Sequence, residues 1–263
     1  MFERSKIGQD ELLEIGQALG EDIERVEKQR IQIEAFRGVK HFTDEEIDSD
    51  LDFVKRKKAL YDKREANDPD EFKKVQEKAH IIELVLPMAI HDYDWLGKNT
   101  NIVYTSPYDD IQNRVDSVAQ LMEPGETRNL GMEIDFTSSE PEMADKIRRI
   151  GAEIEEGKIT KVKYFDSPAT GKLKNLKMPK IVFGVPMNEA TDLADLLVQA
   201  RKDPKSESVR KAIENHAVKK KFLEYVANQL SEFGRMAAEA GNIPHAVLHH
   251  NVLEAMRKRG LIK

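Results

Sequence analysis

The chain of 263 residues carries 42 Lys and Arg against 48 Asp and Glu, a net charge of −6, with 40% hydrophobic and 34% charged residues and no cysteine. That composition supplies a sizeable core, excludes disulfides and thiolate metal sites, and leads to the expectation of a cytoplasmic protein. No apolar run reaches membrane-spanning length and the opening MFERSKIGQDELLEIG lacks a signal-peptide pattern, so no membrane partner is expected.

Residues 1–70 predict a helical extension. Leu12, Leu13, Leu19, Ile23, Val26 and Ile33 are spread among charges, and a second helix begins at the capping box Thr43-Asp44-Glu45-Glu46. Two charged helices joined near Gly38 suggest a helical hairpin or short coiled coil. Its apolar pattern is not a clean heptad, so packing on the core is expected, with homodimerisation through the extension as the alternative. Asp68-Pro69 marks the next helix start, and Ala79 to Leu86 is an apolar helical stretch enclosing His80 and Glu83.

The central region, 71–200, carries the chemistry. Asp109, Asp110 and Asp116 precede Glu133 and Asp135, and both acidic segments read as short strands. Val115, Val118 and Leu121 alternate with polar residues, Glu123 to Glu126 supply a turn, and Leu130 begins a second run, which predicts a hairpin pairing 113–121 with 130–137. Glu133, Asp135 and Thr137 then share one face and Met132, Ile134 and Phe136 the other. Carboxylates beside an apolar core need a partner, commonly a metal ion. Ser139-Glu140-Pro141-Glu142 opens a helix in which Met143, Ile147, Ile150 and Ile154 recur until Gly157. A strand over 159–165, a turn near Thr170-Gly171 and a strand over 181–185 follow.

On Asp116, on Asp135-Phe136-Thr137 and on the order of the surrounding elements, the region resembles the PD-(D/E)XK nuclease-like superfamily, in particular its small divergent members in uncharacterised bacterial proteins. The resemblance implies an α/β fold: a small mixed β-sheet flanked by helices, a restriction-endonuclease-like core with N- and C-terminal helical extensions. It also implies that Asp116 and Asp135 bind Mg²⁺ or Mn²⁺, with Glu133 or Glu83 as a further ligand. Thr137 stands where the family's lysine belongs. A displaced lysine would restore the chemistry, with Lys146 the first choice and Lys161 and Lys163 behind it.

Residues 201–263 predict a C-terminal helical region, preceded by a helix over 188–202 and containing one long or two short helices over 206–240 and a last one from Gly241 to Gly260. His245, His249 and His250 fall on the last; the first two have metal-ligand spacing, but a polar surface or partner contact is the preferred role. Charge is polarised: residues 158–263 hold 20 basic and 11 acidic side chains, so residues 1–157 carry −15. Within 158–180, Lys158, Lys161, Lys163, Lys172, Lys174, Lys177 and Lys180 face one acid, Asp166, which predicts a nucleic-acid surface, DNA before RNA. Tyr164 and Phe165 are expected in the core rather than stacked on bases. Two functions remain open: a metal-dependent nuclease, or a nuclease-like fold without catalysis that binds nucleic acid or a protein partner.

Overall fold

The computed structural model describes residues 15, 17–67, 85–123, 125–135 and 140–263. It is a mixed α/β protein with a small mixed sheet between helices. In chain order come α1 (Gly20–Gln29), a 3₁₀ turn (Ile33–Phe36), α2 (Asp44–Asn67), α3 (described over 85–92), β1 (Thr100–Tyr104) and a π-helical turn (Asp109–Asn113). Then follow β2 (Ser117–Glu123), β3 (Glu126–Asp135), α4 (Glu140–Glu155), β4 (Lys161–Ser167), β5 (Gly171–Lys177) and β6 (Lys180–Gly184). Four helices complete the chain: α5 (Met187–Lys202), α6 (Glu207–Glu214), α7 (Ala217–Glu239) and α8 (Ile243–Lys258). Among the described residues no helix is long and apolar enough to cross a membrane.

The sheet runs β1-β2-β3-β6: β1, β2 and β3 form an antiparallel meander, and β6 joins β3 in parallel. A parallel neighbour needs a crossover, and α4 with the β4–β5 hairpin provides it. Alternation along the strands divides the core. Ile102, Tyr104, Ala119, Leu121, Leu130, Met132, Ile181 and Phe183 pack with residues of α3, α5, α7 and α8. On other strand positions, Val103 and Val118 join Phe36, Phe42, Ile47, Val162 and Tyr164, while Val182 meets Ile150, Ile154 and Phe233. Apolar contacts thus run across positions 70 and 200.

The predicted β2–β3 hairpin is present, with its strands at 117–123 and 126–135. The first acidic segment corrects the expectation of a strand: Asp109 and Asp110 lie in the π-helical turn, and Arg114 leaves it in the left-handed region at φ 52°. Asp109 is the cause. Fully buried, it accepts from Ser106 Oγ at 2.8 Å, Asn113 Nδ2 at 2.7 Å, and the backbone N–H groups of Lys163 and Tyr164 at 2.6 and 3.0 Å. Burial pushes its pKa up, against these bonds. A carboxylate so held cannot alternate in a strand; it fastens the turn to β4 instead. A second correction concerns the lysine-rich stretch, where β5 is an additional strand that pairs with β4 in a separate two-stranded sheet.

Two devices finish the edges. The open side of β6 is an exposed ladder in principle, but the buried Gln229 of α7 donates to Val182 O at 2.7 Å and accepts from Val182 N at 3.0 Å. At the other end Arg259 bonds Glu123, Leu96 O, Thr100 Oγ1 and Met122 O at 2.7–2.9 Å, tying the chain's last turn to β1 and β2. Thr43 Oγ1 accepts from Glu46 N, as the capping box implies.

His245 and His249 do not lie on a polar surface: both are buried, with ring centroids 4.6 Å apart and the edge of Phe233 beside them. His250 is exposed. Burial lowers the pKa of both buried rings, His245 to about 4 with His249 adding to the effect. The unfolded chain therefore takes up protons first as pH falls below about 6.5, and the fold loses stability between there and pH 4. We expect unfolding free energy to fall by on the order of 2 kcal/mol from pH 7 to pH 5 through His245 alone. Denaturant titrations of wild type and His245→Phe check this; equal pH dependence in the two would contradict it.

Candidate functional site

Charge collects where β3, β6 and α4 meet. The register that sets Ser117 against Met132 brings Asp116, just before β2, opposite Glu133, and Asp116 N donates to Met132 O at 2.9 Å. Glu133 is 6% exposed. A buried carboxylate costs several kcal/mol unless compensated. Arg149 compensates it from α4 through Nη2 at 2.8 and 2.7 Å, Lys180 from the start of β6 at 3.3 Å, and Lys146 from α4 at 3.8 Å. Lys146 and Arg149 are three apart, so one helix face delivers both.

The cations are themselves strained electrostatically. Burial lowers the pKa of Lys180, 3% exposed, and the Glu133 charge opposes the shift. Lys146 is also lowered, first by burial, and feels both Glu133 and Asp116. Asp116 in turn is hydrogen-bonded to the Asp110 carboxyl, which also meets Arg30 at 3.1 Å. Surrounding protein raises the pKa of Asp110, with Arg30 and then Asp116 opposing the shift. Two carboxyl groups in contact must share a proton or a cation.

Behind this layer opens a cavity of about 630 Å³. Among the described residues Arg114, Arg149, Lys158, Lys161, Lys177 and Lys180 line it, against the single acid Glu153. Lys158 reaches it because α4 ends in a Schellman turn: Gly157 takes φ +76°, its N–H donates to Ile154 O, and Lys158 N donates to Glu153 O at 2.8 Å. Arg149 and Lys180 belong to both features. One layer of cations therefore holds Glu133 on one side and walls the cavity on the other.

Of the side chains singled out by sequence, Asp116, Glu133 and Lys146 come together. Asp135 continues β3 with its backbone paired to Gly184. Thr137, Glu83 and His80 lie outside the described residues. Lys158, Lys161 and Lys177 line the cavity, whereas Lys163 bonds Asp50 and Glu46, Lys174 bonds Glu46 and His41 O, and Lys172 bonds Ala35 O. Those three lysines fasten β4 and β5 to α2 and to the 3₁₀ turn. Tyr164 and Phe165 are fully buried, as expected. Sequence reasoning passed over Arg149 and Arg114. The helical spacing from Lys146 was a usable signal for Arg149; Arg114 had none, since its place depends on the π-helical turn.

The donor set fits a hard divalent cation in a limited way. Asp110 and Asp116 offer touching carboxyl groups, and Mg²⁺ is commonly held by one or two carboxylates plus water and phosphate. Glu133 is already balanced by three cations. Among the described residues no group of three or more His, Asp or Glu side chains is placed to hold a metal. Comparison with protein-family models, with curated proteins and with solved structures found no match to this chain.

Removing the Glu133 charge strands three cations in a poorly solvated layer. Glu133→Gln is expected to lower the unfolding free energy by about 3 kcal/mol. Urea titration measures it, and a change under about 0.5 kcal/mol, the range of an ordinary surface substitution, would show that the layer is not electrostatically coupled.

Proposed function

We propose that the chain is a metal-dependent, nuclease-like protein that hydrolyses phosphodiester bonds in nucleic acid, with a restriction-endonuclease-like arrangement of the β1–β2–β3–α4–β6 unit. The observation that carries this reading is the return of Lys146 on α4 to within 3.8 Å of Glu133, on the strand pair that presents Asp116. A lysine beside strand-borne carboxylates supplies the positive charge that Thr137 lacks.

Asp116 and Asp110 would hold Mg²⁺ or Mn²⁺, with Asp135 at the end of β3 as a further donor; when bound, the ion polarises the phosphate and makes water a better nucleophile. The water oxygen bonds phosphorus, the P–O ester bond breaks, and the leaving oxygen takes a proton, so the products are a phosphomonoester end and a hydroxyl end. Lys146 Nζ places positive charge where negative charge develops on the phosphate. Glu133 orients Lys146, Arg149 and Lys180, and the cavity cations hold the strand by its backbone.

A second reading has its own observation. The three cations already neutralise Glu133, as suits a protein that binds nucleic acid or a partner without cutting. Incubation with single- and double-stranded DNA and RNA in Mg²⁺ and in Mn²⁺ separates the two. We expect Asp116→Asn to lose about 100-fold or more in cleavage while retaining binding, because the carboxylates serve the ion rather than the phosphates. Binding without cutting in both metals would favour the module.

A further inference from the structure

We infer that the basic cavity is a pocket for the phosphomonoester end of a nucleic-acid strand, a specificity element beyond the carboxylate site. Three features support it.

The first is charge. Among the described residues, setting Glu153, Glu133 and Glu156, the acid that pairs with Lys158, against the six cations leaves three positive charges in excess. Among the described residues Arg114, Lys161 and Lys177 have no carboxylate partner. An internal phosphodiester carries one negative charge, whereas a terminal phosphate approaches two at neutral pH. The pocket is matched to the terminal group.

The second is depth. The floor is Lys180 and Arg149, held by Glu133, while Arg114, Lys158, Lys161 and Lys177 are exposed around it. A buried ammonium and a part-buried guanidinium kept in place by a carboxylate behind them are pre-oriented anion donors. The buried Nε of Arg149 has no hydrogen-bond partner in the protein.

The third is size and lining. A volume of about 630 Å³ lies in the middle of the roughly 300–1,000 Å³ range of small-ligand sites, more than a lone phosphate fills. Gln112, Asn113 and Thr160 add hydrogen-bonding groups, and none of the described lining residues is aromatic. With no stacking platform among these residues, recognition falls on phosphate and sugar and is indifferent to base sequence. Hydrolysis as proposed above produces such an end. The strand as ligand rests on that reading; the anion chemistry rests on the lining alone.

The test is binding in EDTA, so that cleavage plays no part. Fluorescein-labelled 12-nucleotide DNA strands bearing a 5′-phosphate, a 3′-phosphate or hydroxyl ends are titrated at fixed salt by polarisation. One phosphorylated strand should bind about tenfold or more tightly than its hydroxyl twin. The preference should disappear in Arg114→Gln/Lys161→Gln/Lys177→Gln, whose positions are exposed, with the thermal midpoint confirming its fold. Equal affinity for all three strands, or a preference that survives in the variant, would overturn the proposal. A nucleoside monophosphate that competes as well as the phosphorylated strand would overturn the strand-end assignment. An intact end preference in a protein that cuts nothing would sink the nuclease reading and leave the pocket standing; cutting without end preference would do the reverse.

Discussion

The Glu133 carboxylate and its three cations are the interaction on which the arrangement of β3, α4 and β6 depends. Apolar contacts such as Ile150 and Ile154 on Val182 bring α4 to the sheet, but they are non-directional and do not fix its rotation. The two hydrogen bonds that Arg149 Nη2 donates to the Glu133 oxygens are directional, and Lys180 adds an ion pair at 3.3 Å. They set the helix face that looks at the sheet, and with it the position of Lys146. A buried ion cluster seldom adds net stability compared with an apolar replacement. Its contribution here is orientation, and the same cations that satisfy Glu133 become the floor of the cavity.

A second buried carboxylate joins the two sheets. Among the described residues the main-chain ladder between β4 and β5 is separate from the larger sheet, and no regular pairing attaches that hairpin to it. Asp109 makes the attachment through the N–H groups of Lys163 and Tyr164, while Lys163 and Tyr164 Oη reach Asp50 on α2. The aromatic rings of Phe36, Phe42 and Tyr164 fill the space between, at centroid distances of 5.0–5.2 Å. This holds β4 beside the π-helical turn and so places Lys161 and Lys177 across from Arg114.

Legibility in the sequence followed the range of the forces concerned. The β2–β3 hairpin and the helices over 140–155 and 187–202 were readable because alternation, 3.6-residue periodicity and capping are local. The short strand β1 was missed: Thr100 to Tyr104 lies between turns, and its identity comes from pairing with β2. Asp109 was read as a site acid, yet its four donors include residues more than fifty positions away. The lysine run 158–180 was read as one surface, whereas tertiary contacts divide it, with Lys163, Lys172 and Lys174 turned to the helical region and Lys158, Lys161 and Lys177 to the cavity. Composition gave the sign of that surface, and only the fold gave the partition.

The central claim is that one layer of cations separates a carboxylate edge from an anion pocket. A crystal structure of the protein with Mn²⁺ and a short 5′-phosphorylated DNA strand tests it most directly, through the anomalous signal of manganese and the density of the terminal phosphate. The account requires manganese between Asp110 and Asp116 and the terminal phosphate against Arg149 and Lys180, with Glu133 still bonded to both. Manganese elsewhere, or an empty cavity with the strand bound on another face, would contradict it.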